Sequence, residues 1–531
     1  MKSKHAFSFV IVVIILWITI YSCSKIYIKH DFRKNYRTFN DTLHVNIPDS
    51  SFFKIHLKNG DVSLLGDWKL NSDKDTIYGE GKLFDFNRNI ISEGKLSFPL
   101  DDIAIVETNQ FDAIKGKDKE KIAALSILTG INILGDVICI TNPKACFGSC
   151  PTFYLNNASV FQSAHAEGFS SSISPSLEKQ DLDALRYSTS SEIINITMKN
   201  EAYETHMINE LFIQAVPKHP TDYVFHDKSN IFYRCKNLIN VTNAKEGDKD
   251  ISSFINNFDD FEYFSSTNSS DLSAKEEIYI EFDKAAFKNP GLVINFRQTL
   301  LTTFLLYNGL SYMGNEVGDY FAKIETNDQI KKHISNPFNY LGKIKLLYLD
   351  TKINNWTLFD ELYETGPIAK NLMIAPLTEI PDIKNKIKIK IEMTKGLWRL
   401  DYLGLTSIQD SITAISIYPD QMIANKKDKN TIDAIFNDDN NYLVTFPGDE
   451  YEFKFRLPKL SDNRQYELFL SSKGYYLEWI RQNWIENKNL PKLKKMLLND
   501  EKVWTELAKE FKEIEPDIEQ LFWSSKYENC N

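Results

Sequence analysis

The chain has 531 residues, 43% of them apolar and 13% aromatic, and a formal net charge of −10. That length exceeds a single hydrophobic core and the composition excludes a disordered polymer, so about two to four domains are expected. The acidic balance, with lysines scattered among Asp and Glu, argues against a nucleic-acid partner, because phosphate neutralisation needs concentrated Lys and Arg.

The N-terminus has the form of a secretory signal. Lys2 and Lys4 precede an apolar run, Phe7–Ile20, and Tyr21-Ser22-Cys23 follow it. This end resembles a bacterial lipobox, with an aliphatic residue three before a Cys and a small residue directly before it. The resemblance implies cleavage before Cys23 and lipidation of its thiol. The alternative is an uncleaved anchor, although a run of about 14 residues is short for a span. Ser24 after the Cys resembles an outer-membrane address. The expected location is therefore the cell envelope of a Gram-negative bacterium, held to the outer membrane by lipid. Without Cys23, an odd set remains: Cys139, Cys146, Cys150, Cys235 and Cys530. An oxidising compartment permits disulfides among them, with at least one left over.

The fold class expected is α+β and multidomain. Residues 1–22 are the signal. Residues 23–115 are a basic tether and a small β domain, since Phe53, Ile55 and Leu57 alternate with polar residues and turns recur at Asn59-Gly60-Asp61 and Pro99. Residues 116–240 form an α+β domain that opens with a helix, apolar almost all round, over 122–140, read as buried, with a membrane-dipping segment as the alternative. Within it, Ser176 as N-cap with Glu178 and Asp181 predicts a helix over 177–185. Residues 193–198 and 211–216 read as strands. Residues 241–275 read as a loop whose Phe254, Phe258, Phe261, Tyr263 and Phe264 pack on a neighbour. Residues 276–460 read as a β-sandwich with an inserted helix over 297–313, stopped by Gly314. Residues 442–446 and 451–457 read as a hairpin about Pro447-Gly448-Asp449. Residues 465–531 read as helices, at 475–486, 490–498 and 502–511, capping the β domain.

The candidate chemistry centres on Cys146-Phe-Gly-Ser-Cys150-Pro151. Gly148 lets the loop turn, so a local disulfide is one reading. A soft-metal site for Cu or Zn is the second: Cys-x3-Cys-Pro resembles the copper motif of Sco-type chaperones, with His206 available as a third ligand. Two unpaired, buried cysteines are the third. Glu201, Glu204 and His206 could also ligate a metal, but a solvated or hydrogen-bonded surface cluster is the preferred account of them.

Lys144-Ala-Cys-Phe-Gly-Ser-Cys-Pro-Thr-Phe-Tyr154 resembles a motif of uncharacterised bacterial lipoproteins, which bring no known activity. The segments Glu167–Ser176, Asn200–His206 and Arg297–Leu301 resemble the same proteins. Separately, the strand–turn–strand over 387–403 resembles the end of galactose-binding-like jelly rolls in carbohydrate-binding modules. The chain lacks a G-x4-GK[ST] loop, a Rossmann G-x-G-x2-G after a strand, a G-x-S-x-G elbow and an H-E-x2-H pair. The expected function is a non-enzymatic binding or assembly role, with the membrane reached through lipid and a protein or glycan as further partner. The alternatives are metal binding through Cys146, Cys150 and His206, or hydrolysis of a polysaccharide.

Overall fold

Period-two alternation of apolar residues makes most of this chain strand. The computed structural model describes residues 26–30, most of 53–113, and 150–524 except for 156–163, much of 315–335, 378–385, 426–430, 479–486 and a few shorter stretches. It is an α+β protein dominated by antiparallel sheets, with its long helices gathered late in the chain.

The N-terminal sheet has seven strands, including Ile26–His30, Phe53–Leu57 and Ile103–Ala113. Phe53, Ile55, Leu65, Trp68, Ile77, Phe98 and Ile103 form its small core, and the Phe53 and Trp68 rings stack at 3.9 Å. Gly81 is required here. A Cβ at that position would lie 1.9 Å from the Leu64 carbonyl oxygen.

Four further sheets pair into two sandwiches. In the first, sheet I joins Lys179–Thr189, Gln465–Glu478, Glu204–Lys218 and Ile415–Ile417, with Leu443–Thr445 alongside. Sheet II joins Pro419–Ala424, Glu450–Arg456, Ile193–Lys199, Thr152–Leu155 and Ala166–Glu167. Between them lie Phe153, Ile196, Met198, Ile208, Leu211, Phe453 and Leu468. In the second, sheet III is built on Pro290–Gln298 and Trp398–Ile412, and sheet IV on Lys275–Phe282, Ile387–Thr394, Ile344–Asp350 and Asn355–Leu362. Ile278, Ile294, Phe296, Ile389 and Leu403 fill that core.

Helix α1 (Leu301–Met313) continues the second core and is buried on almost every side, which explains its uniform hydrophobicity. Gly314, at φ +56°, ends it as expected. Helices α2 (Leu490–Leu497) and α3 (Glu501–Ser524) cover α1. The Asn489 side chain accepts the Lys492 N–H to start α2. Phe511 of α3 meets Phe304 of α1 at 5.1 Å. The outer faces of sheets I and III meet through Leu182, Val216, Phe469, Val224 and Phe232. His226 lies in this joint with its ring edge-on to Phe469.

Several sequence expectations are corrected. The helix over 177–185 is a short 3-10 turn, Pro175–Leu177, followed by the strand Lys179–Thr189. The acidic residues that looked like helix-start signals serve other segments instead: Asp181 accepts the Phe169 N–H, and Glu178 accepts the Asn209 amide and the Tyr442 hydroxyl. The helix begun at 475 is the end of the strand Gln465–Glu478, whose alternation continues past Gly474. The hairpin over 442–457 does not form. Leu443–Thr445 pairs in sheet I and Glu450–Arg456 in sheet II, so the turn crosses between sheets. The turn at 394–397 crosses likewise, from sheet IV to sheet III. The loop over 241–275 contains the strands Asn243–Glu246, Lys249–Asp250 and Tyr263–Phe264, and its aromatics do pack: Phe254 stacks on Phe261 and Phe258 on Tyr402. Pairing also runs across the expected boundaries at 240, 276 and 460, since Glu204–Lys218 pairs with Gln465–Glu478 and Phe232–Asn240 with Trp398–Ile412. The helix over 122–140 lies outside the described residues.

Candidate functional site

The longest strand pair in sheet I sets the site. Glu204–Lys218 and Gln465–Glu478 pair antiparallel, with Glu204 opposite Glu478 and His206 opposite Tyr476. Alternation puts these four side chains on the face shared with Ile208, at one end of the first sandwich. His206 is 0% exposed, Glu204 1% and Glu478 3%. The His206 Nε2 and Glu204 Oε2 atoms lie 3.0 Å apart, while Nδ1 has no hydrogen-bond partner.

Cys150 enters from the segment before Thr152–Leu155 and is a buried free thiol. Burial pushes it well above the ordinary thiol range, and the carboxylates of Glu167, Glu204 and Glu478 push it further. Tyr476 beside it is raised for the same reasons, burial first and then Cys150 and Glu204. Its hydroxyl donates to the Ser170 carbonyl at 3.0 Å, and its backbone N–H donates to Ser172. A thiol held protonated in this way is a poor nucleophile.

The segments singled out in the sequence converge around this end. The Gly168 N–H donates to the Pro151 carbonyl. Glu201 accepts the hydroxyls of Thr152 and Tyr154, both at 2.8 Å. The Asn200 amide bonds the Glu204 and Thr445 carbonyls. Glu167 reaches across to the second sandwich, where it accepts the N–H groups of Ile368 and Ala369 at 2.7 and 3.2 Å. Gly366 turns that loop at φ +109°, and a Cβ there would lie 2.6 Å from the Glu167 carboxylate. On the far side of the loop, Arg297 donates to the Pro367 carbonyl at 3.0 Å.

Arg297 also anchors a second polar cluster. Its Nε and NH2 grip Glu262 at 2.7 and 2.6 Å. Lys370 bridges Glu262 and Asp401, and Asn295 donates to Asp401 at 2.7 Å. Burial alone would raise the Glu262 carboxyl, but Arg297, Lys370 and Arg399 together hold it below its usual range.

Cys150 and His206 thus share Glu204 as a neighbour, while Cys146, like Cys23, lies outside the described residues. Among the described residues no group of three or more His, Cys, Asp and Glu side chains is arranged to hold a metal ion. The sequence reading did not single out Tyr476, Glu478, Glu262 or Lys370. A strand signal was present for the first two, because polar Gln465, Glu467 and Ser471 interleave with Tyr466, Leu468 and Leu470. No protein-family model matches the chain, and no curated protein matches it.

Proposed function

We propose that this chain is a lipid-anchored cell-envelope protein whose folded part serves binding or assembly. The observation that carries the reading is the run Phe7–Ile20 leading into Ser22-Cys23, a leader followed by a lipidation-type cysteine. The junction supports a mechanical use of its ionisable groups. Glu167 is bonded to Ile368 and Ala369 of the second sandwich, Glu201 to Thr152 and Tyr154, Arg297 to Glu262 and Pro367, and Glu204 and His206 to each other. Glu167 ties the two sandwiches together, and the exposed sheet faces are left to meet a partner.

The test is metabolic labelling with a radioactive fatty acid in a Gram-negative host. Label is expected in the wild-type chain and absent from Cys23→Ala, which should also keep its leader and migrate as a larger species. Equal labelling of both, or none in either, would sink the anchor. In the same detergent extract, chemical crosslinking should trap a partner, and an uncrosslinked monomer throughout would count against assembly.

A further inference from the structure

The outer face of sheet IV carries an aromatic and aliphatic patch framed by paired charges. Ile278, Ile280, Phe282, Ile389 and Ile391 point inward, so the residues between them face solvent. Across the sheet the register sets Tyr279 beside Lys390, Lys390 beside Leu347, and Leu347 beside Leu358. The next row ends with Leu349 beside Trp356. Tyr279 is 40% exposed, Leu358 49% and Ile353, in the adjoining turn, 64%. The Tyr279 and Trp356 rings stand 5.7 Å apart at 62°, like an open book. Exposed apolar surface gathered this way marks an interaction site.

The charges around it decide the partner. Lys390 pairs with Glu277 at 2.7 Å, Lys388 with Glu281 at 3.1 Å and Lys345 with Glu392 at 2.8 Å. Tyr279 donates its hydroxyl to the same Glu277. The face therefore offers rigid rings and hydrogen-bonding groups with its charge already balanced. An anionic membrane or a nucleic acid would call for uncompensated lysines. We propose that this face binds a neutral glycan. The C–H face of a pyranose ring would lie on Trp356 and Tyr279, and its hydroxyls would bond the Lys390–Glu277 pair. Aromatic side chains suit the task because they give large contact area with little rotamer entropy to lose. The proposal deepens the binding reading above by naming the class of partner, and it rests on that reading.

The experiment is native electrophoresis of the detergent-solubilised full chain through gels containing dextran, mannan, galactomannan or xyloglucan. Retardation by at least one of these is expected. Trp356→Ala and Tyr279→Ala should each weaken it about tenfold, with Trp356→Phe intermediate and all three melting as wild type. No retardation in any gel would overturn the proposal, as would equal retardation of wild type and both alanine variants. Flotation with phosphatidylglycerol vesicles is the control. Vesicle binding that the same variants abolish, without glycan retardation, would make this a membrane face and equally overturn it. Failure of fatty-acid labelling at Cys23 would leave the glycan result intact, so the two readings fall separately.

Discussion

The two buried polar clusters solve the same problem in different ways. Around Arg297 and Glu262, charge is compensated: three cations face two carboxylates, and the donors are aimed at specific oxygens. Around Cys150 and Glu204, the burial cost falls on a thiol and a phenol. Carboxylates gather near them, and the Cys150 thiol and the Tyr476 hydroxyl are held protonated. The first cluster is an ion network whose strength depends on staying charged. The second is a buried plug whose thiol and phenol stay protonated. The difference teaches that buried polarity in this chain is not one signal. Its sign of response to charge and pH depends on the counter-ions each strand happens to supply.

The largest effect should come from breaking the compensated cluster. Arg297→Ala leaves Glu262 buried with weaker partners, and a loss of about 3–5 kcal/mol is expected in urea unfolding at neutral pH. Arg297→Lys keeps the charge but loses the two-pronged grip, so an intermediate loss is expected. A loss under 1 kcal/mol for Arg297→Ala would show that the network adds nothing to the fold.

Acid should separate three kinds of site by sign. Glu262 sits below its unfolded pKa, so its contribution is present above that value and is lost as pH falls through the folded one. Asp183 is raised well above its ordinary value by burial first and then by Asp181, Glu364 and Glu167. It penalises the folded state once ionised, so its effect on stability improves as pH falls. His226, in the joint between the sandwiches, is lowered by burial to about 4. Its unfolded form charges first, so stability falls between about pH 6.5 and 4, by on the order of 3 kcal/mol. His226→Phe should flatten that window in melts taken from pH 7 to 4, while Asp183→Asn should raise stability near neutrality. An unchanged slope in His226→Phe would remove the imidazole from the account.

Next in size is the clamp between the sandwiches. Gly366→Ala places a Cβ against the Glu167 carboxylate at a positive φ, and a loss of about 1–3 kcal/mol is expected. Glu167→Ala in the same background should give less than its separate effect, because the clash partner is gone. Strict additivity of the two changes in denaturant unfolding would disprove the contact.

Much of the strand content was legible, because residues such as 277–282 and 387–393 alternate cleanly over a half-buried surface. The helix α1 and its stop at Gly314 were legible for the same local reasons. What failed depended on long-range partners. Glu178 and Asp181 look like a helix start, but the Asp181 acceptor is used by Phe169 of another segment. Tyr475 to Glu478 read as helix because their mate lies roughly 270 residues earlier in the chain, at 204–207. The site showed a similar split. Cys150 and His206 stood out by residue type and Arg297 only through a resemblance, whereas Glu478 and Glu262 acquire meaning only from the strands opposite them.

The smallest effect tests the buried plug itself. Cys150 is enclosed by Tyr476 and three carboxylates and held protonated by burial, so its thiolate population at pH 8 is minimal. Iodoacetamide should leave it unmodified in the native chain and alkylate it fully in urea, as peptide mass spectrometry would read. Cys150→Ala should cost only about 1 kcal/mol, because a small apolar volume is lost and no charge is exposed. Cys235, pushed up to about 12 by burial, serves as an internal comparison on sheet III and should be protected alike. If Cys150 reacts in the native chain as fast as in urea while Cys235 does not, the plug is open, and the two clusters differ in access rather than in charge. If both stay protected while Cys150→Ala costs several kcal/mol, the thiol has a bonded partner, and the sulfur returns as a disulfide or metal ligand.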